Sequence, residues 1–359
     1  MKALIAMSGG VDSSVAAYLM KNAGWECAGA MMKMFAKETP PSEQDGCCCS
    51  LDDTEDARAV ACRLELPFYV FHAMDTFRFR VMEPFVTAYE SGLTPNPCIC
   101  CNRHLKFDYF LQKATELGFD TIVTGHYARI TQDPCTGRYL LRKAVDTAKD
   151  QSYFLACLTQ EQLAHVRFPL GEFSKPQIRQ IAQEQGFLNA RKRDSQDICF
   201  VPDGDYMAFL TRFTGKEYPS GSFLDQSGRP VGTHKGAVAY TLGQRKGLGL
   251  SMGAPVYVCG KDMQANTVTV GPNEALFHRE LVAYDWVWFP FPALTEPQRV
   301  LAKARSRMVE QPATVYPEKN GIARVVFDEP QRAITPGQAV VLYDGDTVVG
   351  GGTIREVGL

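Results

Sequence analysis

The chain has 359 residues, a formal net charge of −2, 45% hydrophobic and 22% charged residues, and 12 cysteines. That length predicts two or three domains with cores of their own and excludes a small disulfide-stapled scaffold. No stretch approaches the roughly 20 apolar residues of a membrane-spanning helix, and the small net charge leaves any nucleic-acid binding to local patches.

Residues 1–7 form a short apolar run that passes straight into Ser8-Gly9-Gly10 without a basic leader or cleavage pattern, so the expected location is the cytoplasm. In a reducing cytosol the cysteines are expected to be thiols, catalytic groups or metal ligands rather than structural disulfides. Through the first third, residues 3–7, 27–34, 68–71 and 121–124 read as strands, and 14–23, 51–64 and 105–117 as helices. This alternation predicts an α/β domain with parallel strands and crossover helices. Residues 37–50 interrupt it with Pro40, Pro41, Gly46 and the run Cys47-Cys48-Cys49, which predicts a mobile loop. Three adjacent cysteines cannot all turn toward one ion, so that run is read as a loop near the nucleotide. Helical patterning returns over 160–164 and 174–185, with Ser174 as N-cap ahead of Pro176. After Val201 come a helix over 206–213 and short β-type runs at 237–242 and 256–259; strand-like runs at 282–287, 314–315, 323–327 and 339–343 then predict a small β-barrel. The expected domains are 1–200 (α/β, parallel sheet), 201–275 (a small central α+β domain) and 276–359 (the C-terminal β-barrel).

Ser8-Gly9-Gly10-Val11-Asp12-Ser13-Ser14 ends the first predicted strand and opens a helix. Two glycines there let backbone N–H groups approach an anion at a helix N-terminus, and Asp12 is the carboxylate placed to hold Mg²⁺. The alternative is a tight strand-to-helix turn, against which the unbroken run of small and acidic residues counts. Neither G-x-x-x-x-G-K-[ST] nor G-x-G-x-x-G is present, which argues against a kinase-like NTPase or a dinucleotide dehydrogenase. The run S-G-G-V-D-S resembles the PP-loop of the ATP pyrophosphatases, which split ATP between the α and β phosphates and form adenylates. Amidating synthetases, tRNA lysidine synthetases and thiolases share it, so the cysteines must separate them.

Replacing a carbonyl oxygen by sulfur requires a leaving group on that oxygen and a sulfane sulfur donor, such as a cysteine persulfide. A second thiolate attacks the persulfide, frees the terminal sulfur and leaves a disulfide, so two accessible cysteines must meet. Candidates lie in Leu93-Thr94-Pro95-Asn96-Pro97-Cys98-Ile99-Cys100-Cys101-Asn102 and Asp194-Ser195-Gln196-Asp197-Ile198-Cys199-Phe200. With Thr124-Gly125-His126-Tyr127-Ala128-Arg129, Lys149-Asp150-Gln151-Ser152-Tyr153-Phe154 and Thr241-Leu242-Gly243-Gln244-Arg245-Lys246-Gly247-Leu248, they resemble the signature set of the bacterial MnmA-type tRNA 2-thiouridylases, and the likeness runs through nearly the whole chain.

The resemblance implies a Rossmann-like first domain of the adenine nucleotide alpha hydrolase type. It implies Cys101 as nucleophile and Cys199 as persulfide carrier, with Asn96, Pro97 and Cys98 against the target base. It places ATP on Ala6, Met7, Ser8, Gly9, Gly10, Val11, Asp12 and Ser13, with Met32 and Gly125 near the adenosine. Lys149, Asp150 and Gln151 would touch tRNA, as would Arg305 and Arg307 on a strand of the last domain, with Met308 where some members have a polar residue. The reaction would adenylate C2 of a wobble uridine with Mg-ATP and draw sulfur from a cysteine desulfurase or a sulfur-relay protein. Cys98 departs from the best-known members, which have aspartate there. Cys98, Cys101 and Cys199 could instead hold an iron–sulfur cluster; the persulfide route is preferred because Cys100 also crowds this loop.

Other residues have plainer readings. Cys27, Cys62 and Cys157 lie in apolar stretches and read as core. His126 is a general base or shapes the nucleotide pocket, and Phe200 joins a base pocket or the core. Arg191-Lys192-Arg193 and Arg245-Lys246 are solvated faces or phosphate contacts. The rival functions are another PP-loop ligation with idle cysteines, and an RNA-binding or sulfur-carrier protein without catalysis.

Overall fold

The computed structural model describes residues 1–35, 51–192, 198–201 and 204–358. The Cys47-Cys48-Cys49 run and residues 194–197 lie outside the described residues.

The strands β1 (Lys2–Ala6), β2 (Glu26–Lys33), β3 (Phe68–His72), β4 (Thr121–Val123) and, after an intervening hairpin, β7 (Val166–Arg167) form a five-stranded parallel sheet in the order β3-β2-β1-β4-β7. Strands β1, β2 and β4 read as continuous apolar runs because helices cover both faces, whereas the edge strand β3 is half-exposed. Alternate residues divide between those faces. Ala3 and Ile5 pack with α1 (Val11–Asn22) and α2 (Leu51–Arg63), whereas Leu4 packs with Leu105, Phe107 and Phe110. Those three residues belong to one continuous helical run, in which α3 (Pro97–Cys101) passes through a π-helical stretch, Asn102–Tyr109, into Phe110–Glu116. The strand order reverses between β1 and β4, and ligands of open α/β sheets bind beyond the strand C-termini at such a switch point. Both strands there lead into segments singled out from the sequence, Ser8-Gly9-Gly10 and Thr124-Gly125-His126.

The central unit joins the helix Tyr206–Thr214 to a four-stranded sheet of β8 (Gly221–Leu224), β9 (Pro230–His234), β10 (Tyr257–Asp262) and β11 (Thr267–Gly271). The strand expected over 237–242 is instead a short 3₁₀ turn, Ala237–Ala239. Its amides are used locally: the Ala237 N–H donates to Asn266 Oδ1 at 3.0 Å and the Ala239 N–H to the Gly236 carbonyl at 3.1 Å, leaving no ladder to join.

In the last third β12 (Phe277–Trp288), β13 (Gln298–Lys303), β14 (Gln311–Pro317), β15 (Ala323–Arg332), β16 (Ala339–Asp344) and β17 (Thr347–Val357) pair antiparallel in the order β12-β15-β14-β13-β16-β17. β17 pairs back on β12 and closes a six-stranded barrel. Alternate residues such as Leu281, Ala283, Val325, Phe327, Val340 and Leu342 fill it. The hairpin of β5 (Arg129–Gln132) and β6 (Tyr139–Arg142), contributed by the first domain, extends this sheet through the pair Thr347 and Arg142. Among the described residues no helix is long and apolar enough to cross a membrane.

Candidate active site

A cavity of about 430 Å³ lies at the β1/β4 switch point, lined by Ala6, Met7, Ser8, Gly10, Val11, Asp12, Ser13, Met32 and Gly125. Every residue expected to touch ATP lines it except Gly9, which lies one layer behind with φ +73°; a Cβ on Gly9 would stand 2.4 Å from the Asp53 carbonyl oxygen. Gly125 is equally constrained, since a Cβ there would meet the Asp12 and Ser13 backbone at 2.8 Å. The loop is held from inside. Ser13 and Ser14 hydroxyls donate to the Gly10 carbonyl at 3.0 Å, and the Ser8 N–H donates to Ser13 Oγ at 3.2 Å. Gly10, the N-cap of α1, contributes no side-chain cap, so the first-turn amides of α1 are left to an anion.

Three groups outside the sequence motifs complete this shell. Lys175 Nζ lies 2.7 and 2.8 Å from the two Asp12 carboxylate oxygens, and the Tyr127 hydroxyl donates to Asp12 Oδ1 at 2.8 Å. Asn189, 3% exposed, donates from Nδ2 to the Gly9 carbonyl and to Ser14 Oγ, both at 2.9 Å. Lys106 joins Lys149 and Lys192 in the cavity wall. Lys192, read from the sequence as part of an RNA-facing basic run, bridges Asp53 and Asp56 at 2.6 Å each and faces the nucleotide cavity. His126 also lines the cavity, with Nδ1 2.7 Å from Thr124 Oγ1 and its ring against Phe107 and Phe168. Burial first, and then Lys106, holds its imidazole well below the ordinary 6.5, so the ring is neutral.

The cysteine segment begins α3. Asn96 caps it by accepting the Ile99 N–H at 3.4 Å, Pro97 occupies the first turn, Cys98 is exposed and Cys101 is 8% exposed. Cys101 packs into the large core of the first domain, and Cys199, half-buried, packs against it. Phe200 belongs to that core, 5.1 Å from the rings of Phe85 and Phe209, rather than to a base pocket. Burial pushes the Cys100 thiol up against the pull of Arg103, and pushes Cys157 up to about 12. Among the described residues no three His, Cys, Asp or Glu side chains gather as a metal-holding group.

The segment expected to touch tRNA does several things at once. Lys149 and Gln151 line the nucleotide cavity, and Gln151 Oε1 accepts the Tyr127 N–H at 2.9 Å. Asp150 is turned inward, accepting the Ala144 N–H at 3.0 Å and the Ser152 hydroxyl at 2.7 Å. Tyr153 donates to the Ala339 carbonyl of the barrel at 2.9 Å, and the Phe154 carbonyl accepts Asn102 Nδ2 at 3.0 Å. Arg305, Arg307 and Met308 do not lie on a strand: the barrel strand stops at Lys303, and residues 304–308 turn, closed by the Met308 N–H on the Arg305 carbonyl at 3.1 Å. Arg307 is exposed, Met308 packs on the barrel core, and Arg305 reaches the Leu242 carbonyl at 3.2 Å and Thr335 Oγ1 at 2.5 Å.

Three family models match consecutive parts of the chain: a tRNA methyl transferase HUP domain over residues 1–203, a tRNA methyl transferase PRC-barrel domain over 207–272, and an aminomethyltransferase beta-barrel domain over 278–354. The tRNA-specific 2-thiouridylase MnmA of Clostridioides difficile (strain 630) is 48% identical over 355 residues, covering 99% of this chain and 98% of its own. That of Moorella thermoacetica is 49% identical over 354 residues, covering 99% of each. Among solved structures, a 4-thiouridine synthetase–RNA complex with bound ATP aligns with 59% of this chain and 50% of its own at 17% identity and a TM-score of 0.34.

Proposed function

The chain belongs to the MnmA family of tRNA-specific 2-thiouridylases, and from that membership we infer that adenylation and sulfur transfer are divided between its nucleotide loop and its cysteine-bearing helix. It is an ATP-using tRNA sulfurtransferase that forms 2-thiouridine. The family models carry methyl-transfer names, but the full-length relatives are thiouridylases. The paired cysteine segments suit sulfur chemistry.

In the proposed cycle Mg-ATP occupies the cavity at the β1/β4 switch point, with its phosphates on the amides of Gly10 to Ser13 and toward Lys106, Lys149 and Lys192. Asp12 and Asp53 would supply the hard oxygen ligands of a phosphate-bound Mg²⁺, which would offset the charge of departing pyrophosphate. The wobble uridine, held near Asn96, Pro97 and Cys98, is adenylated at C2. A persulfide on Cys199, loaded by a cysteine desulfurase or relay protein, then supplies sulfur as Cys101 attacks it, AMP departs, and a Cys101–Cys199 disulfide remains. No step runs through an iron–sulfur cluster. Exposed Arg307 is assigned to tRNA contact, while Lys149 and Gln151 go with the nucleotide cavity that they line.

The observation that carries this reading is that one helical run bears both Cys101 and the cavity-lining Lys106. Five residues of even a fully α-helical run rise no more than roughly 7–8 Å along the axis, which suits a base that meets ATP and sulfur in one site. The test is nucleoside mass spectrometry of tRNA incubated with purified protein, Mg-ATP and a cysteine desulfurase. 2-Thiouridine should form with release of AMP and pyrophosphate, and should vanish in Cys199→Ala. Release of ADP, or thiolation that survives Cys199→Ala, would overturn the scheme.

A further inference from the structure

We propose that Cys98 is the resolving thiol of the cycle: it takes over the Cys101–Cys199 disulfide and presents it at the surface for reduction. The inference rests on the two-cysteine reading above, which leaves that disulfide after every turnover. Cys101 is 8% exposed and packs in the core, with Cys199 half-buried against that core, so an external reductant has poor in-line access to the Cys101 sulfur, whereas exchange requires direct attack on a sulfur.

Cys98 is exposed and precedes Cys101 by three residues on the same turn. Residues so spaced have Cβ atoms roughly 5–6 Å apart, while a disulfide needs roughly 4 Å. The first turn must therefore tighten by no more than about 2 Å. Its hydrogen bonds are long, with the Ile99 N–H 3.4 Å from Asn96 Oδ1 and the Cys100 N–H 3.5 Å from the Asn96 carbonyl, so little is lost when it moves. A Cys-X-X-Cys at the start of a helix is also where a thiolate is favoured electrostatically. The neighbouring thiols do not compete. Cys100 is adjacent to Cys101 within the helix, and Cys157 is buried with its Sγ 3.7 Å from the carbonyls of Ile99 and Phe154.

The chemistry balances as two exchanges. The Cys98 thiolate attacks Cys101 Sγ, forming the Cys98–Cys101 bond and breaking Cys101–Cys199, and the electron pair leaves on Cys199 as a thiolate ready for the next persulfide. A dithiol reductant of the thioredoxin class then attacks the exposed Cys98 Sγ. Cys101 leaves as a thiolate, the reductant's second thiol closes its own disulfide and frees Cys98, and the two electrons come from that dithiol.

The test compares first and later turnovers. Persulfide-loaded protein is given tRNA and Mg-ATP without reductant, quenched with alkylating agent, and mapped for disulfides by mass spectrometry. Wild type should hold Cys98–Cys101, and Cys98→Ser should hold Cys101–Cys199. With a dithiol reductant present, the ratio of the steady-state rate to the first-turnover rate should fall about tenfold in Cys98→Ser. A wild-type protein that keeps Cys101–Cys199, or an unchanged ratio, would overturn the proposal alone. Wild-type 2-thiouridine formed with no disulfide at all would overturn it together with the two-cysteine reading.

Discussion

Lys175 is 7% exposed, and its ammonium sits on both oxygens of a carboxylate that faces the phosphate cavity. Without it Asp12 would present to the polyanion a negative charge that only the metal of Mg-ATP offsets. Two charges about 4 Å apart interact by about 4 kcal/mol at an effective dielectric of 20. Even a third of that is tenfold in affinity. Lys175→Met should therefore raise KM for ATP about tenfold or more, Lys175→Arg should recover part of it, and steady-state AMP formation against ATP concentration measures both. This residue shows what the sequence hides. Ser8 to Ser13 could be read because one contiguous run carries the whole loop, but Lys175, Asn189 and Lys106 reach it from distant points in the chain, and a lysine at the head of an amphipathic helix looks like any solvated one. Phe200, beside a functional cysteine in sequence, is turned into the core by packing that no local pattern encodes.

At the scale of elements, the sequence marks four of the five parallel strands and four of the six barrel strands, and leaves β7, β13 and β17 unmarked. Strands β1, β2 and β4 follow from apolar runs buried on both faces, and the barrel from alternation. The 237–242 stretch is apolar enough for a strand, yet Asn266 takes its first amide. The hairpin of β5 and β6 carried a signal, the run Asp133-Pro134 to Gly137 between alternating segments, but nothing local says that its partner is β17, over 200 residues on. In the central sheet β10 carries Lys261, which donates to the Tyr240 carbonyl at 2.8 Å and which burial pushes down to about 8 from 10.5. Between those values the unfolded chain holds a proton that the folded chain lacks, so stability rises with pH across that window. Buried Cys157, raised to about 12 from 9.0, opposes this rise above pH 9 in both proteins, so the test is the difference in thermal unfolding. Between about pH 8 and 10.5 wild type should gain on Lys261→Met as pH rises, the variant's advantage at neutral pH being reduced by the orphaned Tyr240 carbonyl.

Across the whole molecule, the first and last domains are fastened at the site as well as through the shared sheet. Arg103, two residues after Cys101, pairs with Asp285 of β12; Gln338 Nε2 donates to the Thr94 carbonyl at 2.8 Å ahead of the cysteine helix; Tyr153 ties the cavity segment to β16. The Arg103–Asp285 pair is partly exposed, so its stability coupling should be modest, about 0.5–1 kcal/mol in a double-mutant cycle. Asp285→Asn should nevertheless lower thiolation more than ATP-dependent AMP formation, because the barrel then orients the cysteine helix less firmly. Equal losses in both activities would place the pair in general folding instead.

The shared sheet bears on how such proteins can be recombined. Asp346 of the barrel receives both Arg129 and Arg142 of the first-domain hairpin, at 2.8 and 2.6 Å. A chimera that takes residues 1–203 from one parent and the rest from another would place its crossover in a connecting stretch, yet would split these partners between ancestries. Functional hybrids should therefore be those in which the outer thirds share a parent and only the middle is exchanged, so that the two ends of this chain are inherited as one unit although they are far apart in sequence.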